Sequence, residues 1–242
     1  MDIQVLASGS KGNCYHISDD RNSILIECGL PWKQIQRGIN FRTSKLAGCL
    51  VTHEHLDHCK AVRDVMKAGI DCYMSQGAAE ALKLSGHRLH IVRPLRQFKV
   101  GAWIVLPFAV QHDAADPLGF LISTRSGDKL LYATDTYYLK YRFSGLNYIL
   151  VECNYALDIL QKNVEAGLVP MAVKNRVLRS HFSLEHVKGF LQANDLSRVR
   201  EIWLLHLSDG NSDAARFKRE IQELTGKPVY IAGELKKGRG KQ

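Results

Sequence analysis

Hydrophobic positions in the first half of the chain fall into short runs that polar or glycine-rich segments separate. Such runs are typical of buried strands, whereas apolar residues three or four positions apart indicate helices. The pattern predicts helices at Trp32–Gly38, Cys59–Ala68 and Gly77–Leu84. It predicts strands at Ile3–Ala7, Cys14–Ile17, Ile24–Glu27, Leu46–Val51 and Asp71–Met74.

The second half repeats this style, with helices predicted at Leu157–Gly167, Leu184–Ala193 and Ala214–Leu224. Ser126-Gly127-Asp128 has the composition of a hairpin turn. Ser183 is expected to cap the helix at Leu184–Ala193, and Ser212 or Asp213 is expected to cap the helix at Ala214–Leu224. The predicted strands are Trp103–Val110, Gly119–Thr124, Leu130–Thr134, Tyr148–Glu152, Ile202–His206 and Val229–Ile231. Strands grouped in each half, with helices between them, predict an α/β fold of two sheets covered by helices, an αββα layering.

Composition narrows the class of protein and its surroundings. The hydrophobic fraction of 45% and charged fraction of 24% are ordinary for a globular domain. We expect one domain over residues 1–235 and a basic, disordered tail over residues 236–242. No apolar run approaches the length that spans a bilayer, and the N-terminus lacks the pattern of a signal peptide, so we expect no membrane association. The six cysteines form no CxxC pair and are interpreted as reduced thiols of a cytoplasmic protein.

The net charge of +9 and the pI of about 9.3 favour an anionic partner such as nucleic acid. Part of this charge comes from the C-terminal run of lysine and arginine, for which a solubilising tail is an equal alternative.

The segment Val51-Thr52-His53-Glu54-His55-Leu56-Asp57-His58 places three histidines and an aspartate within six residues. Imidazole and carboxylate groups are ligands of zinc, manganese and iron. On a helix, His53 and His55 would point apart, because neighbours on one face are three or four residues apart. We therefore place the segment on the turn between the strand at Leu46–Val51 and the following helix.

Three further metal-compatible residues stand where predicted strands end. His112 follows Trp103–Val110, Asp135 follows Leu130–Thr134, and His206 ends Ile202–His206. A single histidine at such a position is more often a hydrogen-bonded structural residue. Together with the segment at residues 53–58, however, the three complete the ligand set of a two-metal hydrolytic site.

The order HxHxDH, then His, Asp and His, resembles the metallo-β-lactamase superfamily across nearly the whole chain. The resemblance implies a four-layer fold with two mixed sheets between helices, and two divalent metal ions, zinc or manganese. It implies that His53, His55 and His112 hold one ion, that Asp57, His58 and His206 hold the other, and that Asp135 bridges them. A hydroxide between the ions would then attack the substrate, with Asp57 counted among the catalytic residues as well as the ligands.

Three segments resemble the small YycJ/WalJ-like exonucleases of that superfamily. They are Ser8-Gly9-Ser10-Lys11-Gly12-Asn13, similar to an SGSxGN turn, and the stretches at residues 112–117 and 205–211. A glycine-rich turn carrying Ser10, Lys11 and Asn13 could bind a substrate phosphate. The alternative is a tight turn that needs glycine for its backbone geometry.

Glu152 and His181 resemble a pair found in members of the superfamily that cleave nucleic acid, such as tRNA 3′-processing endonucleases. There the glutamate orients a histidine that protonates the leaving oxygen, and a nearby carboxylate keeps imidazole protonated near pH 7. A structural histidine that caps the following helix is the alternative.

These features predict a metal-dependent phosphodiesterase, a DNA exonuclease first and a cyclic nucleotide phosphodiesterase second. Other hydrolases of the fold and a non-catalytic nucleic-acid-binding module fit the sequence less well. Metal identity, strand preference and oligomeric state stay open, a dimer included. A phosphate track near the motifs would use basic residues, for which the candidates are Lys11, Arg42, Lys60, Arg176 and Arg179.

Overall fold

The first sheet combines an antiparallel edge with a parallel half. The computed structural model describes residues 1–19 and 21–233, and its first six strands form this sheet in chain order. β1, β2 and β3 pair antiparallel, and β3 to β6 pair parallel. The strands are β1 (Asp2–Ala7), β2 (Cys14–Ser18), β3 (Ser23–Ile26), β4 (Leu46–Leu50), β5 (Cys72–Met74) and β6 (Leu89–Ile91).

The second sheet has the spatial order β13-β12-β11-β10-β9-β8-β7. β10 to β13 are parallel, whereas β7 to β10 alternate in direction. The predicted turn at residues 126–128 joins β9 to β10, with Gly127 at a φ of 84°. The strands are β7 (Phe98–Val100), β8 (Trp103–Ala109), β9 (Leu118–Ser123), β10 (Lys129–Ala133), β11 (Tyr148–Glu152), β12 (Glu201–Leu205) and β13 (Val229–Ile231).

Eight α-helices lie in the described part of the chain, and the predicted caps of two of them are confirmed. Oγ of Ser183 accepts a hydrogen bond from N of His186, and Oδ1 of Asp213 accepts one from N of Arg216. The helices are α1 (Trp32–Gly38), α2 (Leu56–Cys59), α3 (Val62–Lys67), α4 (Gln76–Ala81), α5 (Leu157–Glu165), α6 (Met171–Ser180), α7 (Leu184–Gln192) and α8 (Ala214–Thr225).

Three hydrophobic clusters define the layers. One joins the facing sides of the two sheets and includes Ile24 and Tyr132. A second lies between the first sheet and helices α1, α3 and α4, and a third between the second sheet and helices α7 and α8. Burial of both faces of both sheets confirms the predicted αββα architecture.

The carboxyl ends of β3, β4, β10, β11 and β12 meet at one edge of this sandwich. A hydrogen bond from N of Leu118 to O of Thr52, 3.0 Å long, joins the two sheets there. Three residues that follow these strands have a left-handed backbone, namely Glu27 (φ 64°), Asp135 (φ 46°) and His206 (φ 53°). Such conformations are strained for residues other than glycine and cluster at functional sites.

Some predicted elements were wrong or missing. The helix predicted at Cys59–Ala68 is two helices, α2 and α3, and the first already begins at Leu56. Strands β6 and β7 and helix α6 were not predicted. The predicted domain boundary at residue 235 and the basic tail at residues 236–242 lie outside the described residues. Within residues 1–19 and 21–233, no helix combines the length and apolar character that a bilayer crossing needs. All six cysteines are buried and free.

Candidate metal centre and catalytic site

The histidine-rich segment leaves β4 as a loop and then enters α2. Because His53 and His55 lie in the loop, their rings can face each other, and Nε2 of His53 is 3.1 Å from Nδ1 of His55. Glu54 between them turns away and accepts a hydrogen bond from N of Ala115. The expectation that the turn presents the ligands is confirmed for His53 and His55, whereas Asp57 and His58 lie in helix α2.

His112 completes the first group of nitrogen atoms. Its Nε2 is 3.2 Å from Nδ1 of His55, and its Nδ1 donates to O of Ser180. In His53 the proton also lies on the far nitrogen, since Oγ1 of Thr52 donates to Glu27 and therefore accepts from Nδ1 of His53. Both rings thus present an unprotonated Nε2 to a common point, as metal ligation requires.

Asp57, His58 and His206 form a second group beside the first. Oδ2 of Asp57 is 3.3 Å from Nε2 of His58 and 3.7 Å from Nε2 of His206. Asp135 lies between the groups, with Oδ2 2.6 Å from Nε2 of His58 and 3.9 Å from Nε2 of His53. All seven candidate ligands therefore come together, and Asp135 is the one that reaches both groups.

The donor atoms of this cluster fit a cation. Both carboxylate oxygens of Asp135 and Nε2 of His206 are buried and have no hydrogen-bond partner among the described residues. The Asp135 oxygens lie close to imidazole nitrogens of His58 and His206, but these contacts lack the angles of a hydrogen bond. Buried polar atoms without partners are unfavourable, and a divalent cation would satisfy them.

The charges of the cluster shift the pKa values of its members. Burial raises the pKa of Asp135, but the charges of His206 and His58 outweigh burial and hold it well below its usual range. Burial also lowers the pKa of His53, and the neighbouring His58 lowers it further, so that His53 stays neutral. A neutral imidazole is the form that binds metal.

Glu27 supports the cluster from behind and was not identified from the sequence. Its fully buried carboxylate accepts hydrogen bonds from N and Oγ1 of Thr52 and lies 3.4 Å from Nδ1 of His58. A carboxylate behind a ligating histidine fixes the ring and raises its basicity. Its position at the end of β3 could have been recognised by the rule that found His112 and Asp135.

Glu152 and His181 lie against the same cluster. Nδ1 of His181 donates to Oε1 of Glu152 over 2.6 Å, and Nδ1 of His206 donates to the same oxygen over 3.1 Å. The other oxygen, Oε2, accepts from N of Thr136 and N of Phe182. Glu152 is thus fully buried and fully engaged, and it positions both histidines. The cap of the following helix is Ser183, so His181 does not serve that structural purpose.

Burial lowers the pKa of His181, but the charges of Glu152 and Asp135 and the hydrogen bond to Glu152 outweigh burial and raise the pKa to about 10. The imidazole is therefore protonated at neutral pH in the metal-free protein. Glu152 holds Nδ1, which leaves Nε2 as the nitrogen for a group bound in the cleft.

The three candidate phosphate-binding residues occupy different environments. Ser10 lines the cleft, and Lys11 is almost fully exposed, 3.8 Å from Asp209. Asn13 is fully buried, where Oδ1 accepts from N of Gly9 and Nδ2 lies 3.2 Å from Nε2 of His58. The turn therefore both faces the cleft and holds the metal cluster in place.

The cleft above the cluster has a volume of about 220 Å³. Arg176 of helix α6 lines it, as do Asp113 and Ser180. Asp113 was not among the predicted site residues, although it adjoins His112 and contacts its Nδ1 at 3.2 Å. Carboxylates that line the cleft can hold cations, and the guanidinium group of Arg176 beside them can contact an anionic substrate.

The chain belongs to the β-lactamase superfamily. The family model described as "Beta-lactamase superfamily domain" matches residues 22–206, which contain six strands of the second sheet and every candidate ligand.

Curated relatives cover most of the chain. An "Exodeoxyribonuclease WalJ" of Streptococcus pneumoniae is 28% identical over 225 residues, 86% of this chain and 82% of the relative. An "Exodeoxyribonuclease YycJ" of Bacillus anthracis is 27% identical over 249 residues, 96% of this chain and 92% of the relative.

Solved structures share the architecture at low identity. The metallo-β-lactamase fold protein YhfI from Bacillus subtilis has a TM-score of 0.72 at 16% identity and covers 95% of both chains. Human tRNase Z, short form, has a TM-score of 0.62 at 14% identity and covers 96% of both chains. At these identities the likeness establishes the fold alone, which is the predicted four-layer fold.

Proposed function

We propose that this protein is a metal-dependent phosphodiesterase that degrades DNA as an exonuclease. The observation that carries the proposal is the convergence of seven histidine and aspartate ligand candidates beside the Glu152–His181 pair. The names of the two curated relatives agree with it. The positive net charge favours a polyanionic substrate.

The residues fit two divalent ions, for which we propose zinc or manganese. His53, His55 and His112 would hold one ion, Asp57, His58 and His206 the other, and Asp135 both. When bound, such a pair of cations activates water near neutral pH and neutralises negative charge on the attacked phosphoryl group.

The chain's own residues supply the remaining chemistry. His181, held by Glu152 through Nδ1, is placed to give the proton on Nε2 to the leaving oxygen of a diester in the cleft. Ser10, Lys11 and Arg176 lie at or beside the cleft with groups that can contact phosphate oxygens. We assign buried Asn13 to positioning Asp57 and His58.

A cytoplasmic location agrees with six free cysteines, because exposure to an oxidising compartment favours disulfides. DNA and its nucleotides are the partners we propose. The oligomeric state stays open.

The test is digestion of 5′- and 3′-labelled single- and double-stranded DNA with Mn²⁺ or Zn²⁺, beside cyclic nucleotides. We expect stepwise release of nucleotides from one labelled end and no activity in Asp135→Asn, which loses the shared charge. The exposed Asp64→Asn is the matched control and should retain wild-type activity. A much higher kcat/KM for cyclic nucleotides than for DNA would overturn the exonuclease assignment in favour of a small-molecule phosphodiesterase.

A further inference from the structure

A second cavity opens at the same edge of the sandwich as the metal cleft. Its volume is about 510 Å³, and it lies where β5, β6 and β8 end and β9 begins. The two cavities share one loop, since Asp113 lines the metal cleft and Ala114 lines the second cavity. Consecutive Cα atoms are about 3.8 Å apart, so the cavities are immediate neighbours.

Most residues that line this cavity are apolar, among them Val92, Pro94, Val110 and Leu118. Its polar lining residues are Ser75, Gln76, Arg93 and Asp116. In the part of the chain that the structure describes, no hydrogen bond or ion pair engages the guanidinium of Arg93. Apolar walls with a few polar groups at fixed positions, within a volume of roughly 300–1,000 Å³, are typical of small-molecule sites.

The loop that separates the cavities is held in one shape. Asp116, in the left-handed region at a φ of 52°, accepts a hydrogen bond from N of Gly77. A Cβ atom on Gly77 would lie 2.7 Å from Oδ2 of Asp116, so a side chain there would displace this carboxylate. One residue earlier, N of Ala115 donates to Glu54 of the histidine-rich segment. The wall of the second cavity is therefore tied directly to the metal cluster.

We propose that the second cavity binds the nucleoside next to the phosphodiester that the metal cleft cuts. The proposal rests on the proposed function, because it places the scissile phosphate at the metal cluster. Enzymes that take a base out of the stack hold it between aromatic or apolar side chains, and the same contacts suit the base of a terminal nucleoside. Arg93 can lie on the face of the base or contact a neighbouring phosphate through its planar donor group. A bare phosphate or a metal ion would leave most of the apolar wall without contacts.

The experiment compares two diesters with the same p-nitrophenol leaving group, thymidine 5′-(p-nitrophenyl phosphate) and bis(p-nitrophenyl) phosphate. Only the first carries a nucleoside. The measured quantity is the ratio of their kcat/KM values in the metal-loaded enzyme. We expect Arg93→Ala to lower this ratio about fivefold and Ala109→Leu, which fills the cavity, about tenfold. Arg96→Ala is the matched control and should keep the wild-type ratio. Arg96 is exposed, lies with Arg93 between β6 and β7, and does not line the cavity.

A binding measurement separates this proposal from the proposed function. Thymidine 5′-monophosphate is titrated into the wild type and the three variants by calorimetry. Suppose that Arg93→Ala and Ala109→Leu hydrolyse both diesters with the wild-type ratio of kcat/KM values and bind thymidine 5′-monophosphate as the wild type does. This result overturns the nucleoside site and leaves the proposed phosphodiesterase function intact. If the wild type binds thymidine 5′-monophosphate but cleaves neither diester, and binding weakens in Arg93→Ala and Ala109→Leu, the nucleoside site is supported and the phosphodiesterase is overturned. A wild type that neither cleaves nor binds overturns both.

Discussion

The carboxylate of Glu27 is not a candidate ligand, yet it lies behind two side chains that are. Thr52 donates to Glu27 and must therefore accept from Nδ1 of His53, which leaves Nε2 of His53 as the ligand atom. The same carboxylate faces Nδ1 of His58. One acidic residue at a strand end thus orders the proton of His53 through Thr52 and places a negative charge beside Nδ1 of His58, one candidate ligand in each metal group.

Glu27→Gln should therefore weaken metal binding while the fold survives. The amide keeps the size of the side chain but removes the charge behind His58, and loss of such a partner typically lowers metal affinity about 10- to 100-fold. Competition with a chromogenic chelator measures the affinity, and circular dichroism checks the fold. Glu223→Gln, at an exposed position of α8, is the control and should bind metal as the wild type does. Equal affinity in Glu27→Gln and wild type would show that Glu27 is only a packing residue.

His181→Ala should slow the reaction without removing metal. A positioned general acid contributes about 10²- to 10⁴-fold, and its loss matters most for a poor leaving group. We expect kcat on DNA to fall by about this factor and kcat on a p-nitrophenyl ester to fall much less. Metal analysis should give the wild-type content. His186→Ala, on the exposed face of α7, is the matched control. Loss of metal in His181→Ala would make His181 a ligand and not the acid.

At the scale of elements, the backbone of residues 28–29 packs closely against helix α2 and the glycine-rich turn. N of Cys28 donates to O of His58, and N of Gly29 donates to O of Asn13. N of Asn13 in turn donates to O of Asp57 over 2.7 Å. Backbone hydrogen bonds therefore join the glycine-rich turn, the end of β3 and the ligand-bearing helix into one unit.

Gly29→Ala should break this unit. A Cβ atom there would lie 1.7 Å from O of Asp57 and 2.8 Å from N of Asn13, so backbone must move. We expect a lower Tm and loss of bound metal, measured by calorimetry and metal analysis on the same sample. The control is Gly189→Ala in helix α7, where no atom lies within 4 Å of the added Cβ. That change should stabilise the helix by roughly 0.5–1 kcal/mol. A Gly29→Ala protein with wild-type Tm and metal content would contradict the close approach.

The predicted elements have clear runs or periods of apolar residues, whereas the elements that were not predicted lack them. β8, β10 and β12 are buried along most of their length, so their apolar runs are unbroken. Helix α6 buries only Val177 and Ser180, and Met171 and Val173 are exposed, so its amphipathic pattern is weak. β6 and β7 have three residues each, too few to show a period.

The candidate site shows the same limit. The candidate ligands were predictable because histidine and aspartate at strand ends are conspicuous. Glu27, however, was predicted only as the last residue of a strand. Its contact with the metal cluster arises only when distant segments of the chain meet. Glu27 contacts His58 across 31 positions of sequence through the pairing of β3 with β4, which no local pattern reports.

On the scale of the whole molecule, the metal cluster joins the two sheets. His53, His55, Asp57 and His58 follow β4 of the first sheet. His112, Asp135 and His206 follow β8, β10 and β12 of the second. The ligands therefore come together only when the two sheets pack, and cations bound there stabilise the native state over the unfolded chain.

Metal removal should consequently lower the stability of the entire protein and not only its activity. A ligand at roughly 1,000 times its Kd stabilises the native state by about 4 kcal/mol, and each kcal/mol shifts Tm by about 2–4 °C in a chain of this size. We expect dialysis against EDTA to lower Tm by about 10 °C, and added Mn²⁺ or Zn²⁺ to restore it. The shift should shrink in Asp135→Asn, which lacks the carboxylate between the groups, and persist in Asp64→Asn. Equal Tm values with and without metal would mean that the seven side chains meet without holding cations between the sheets.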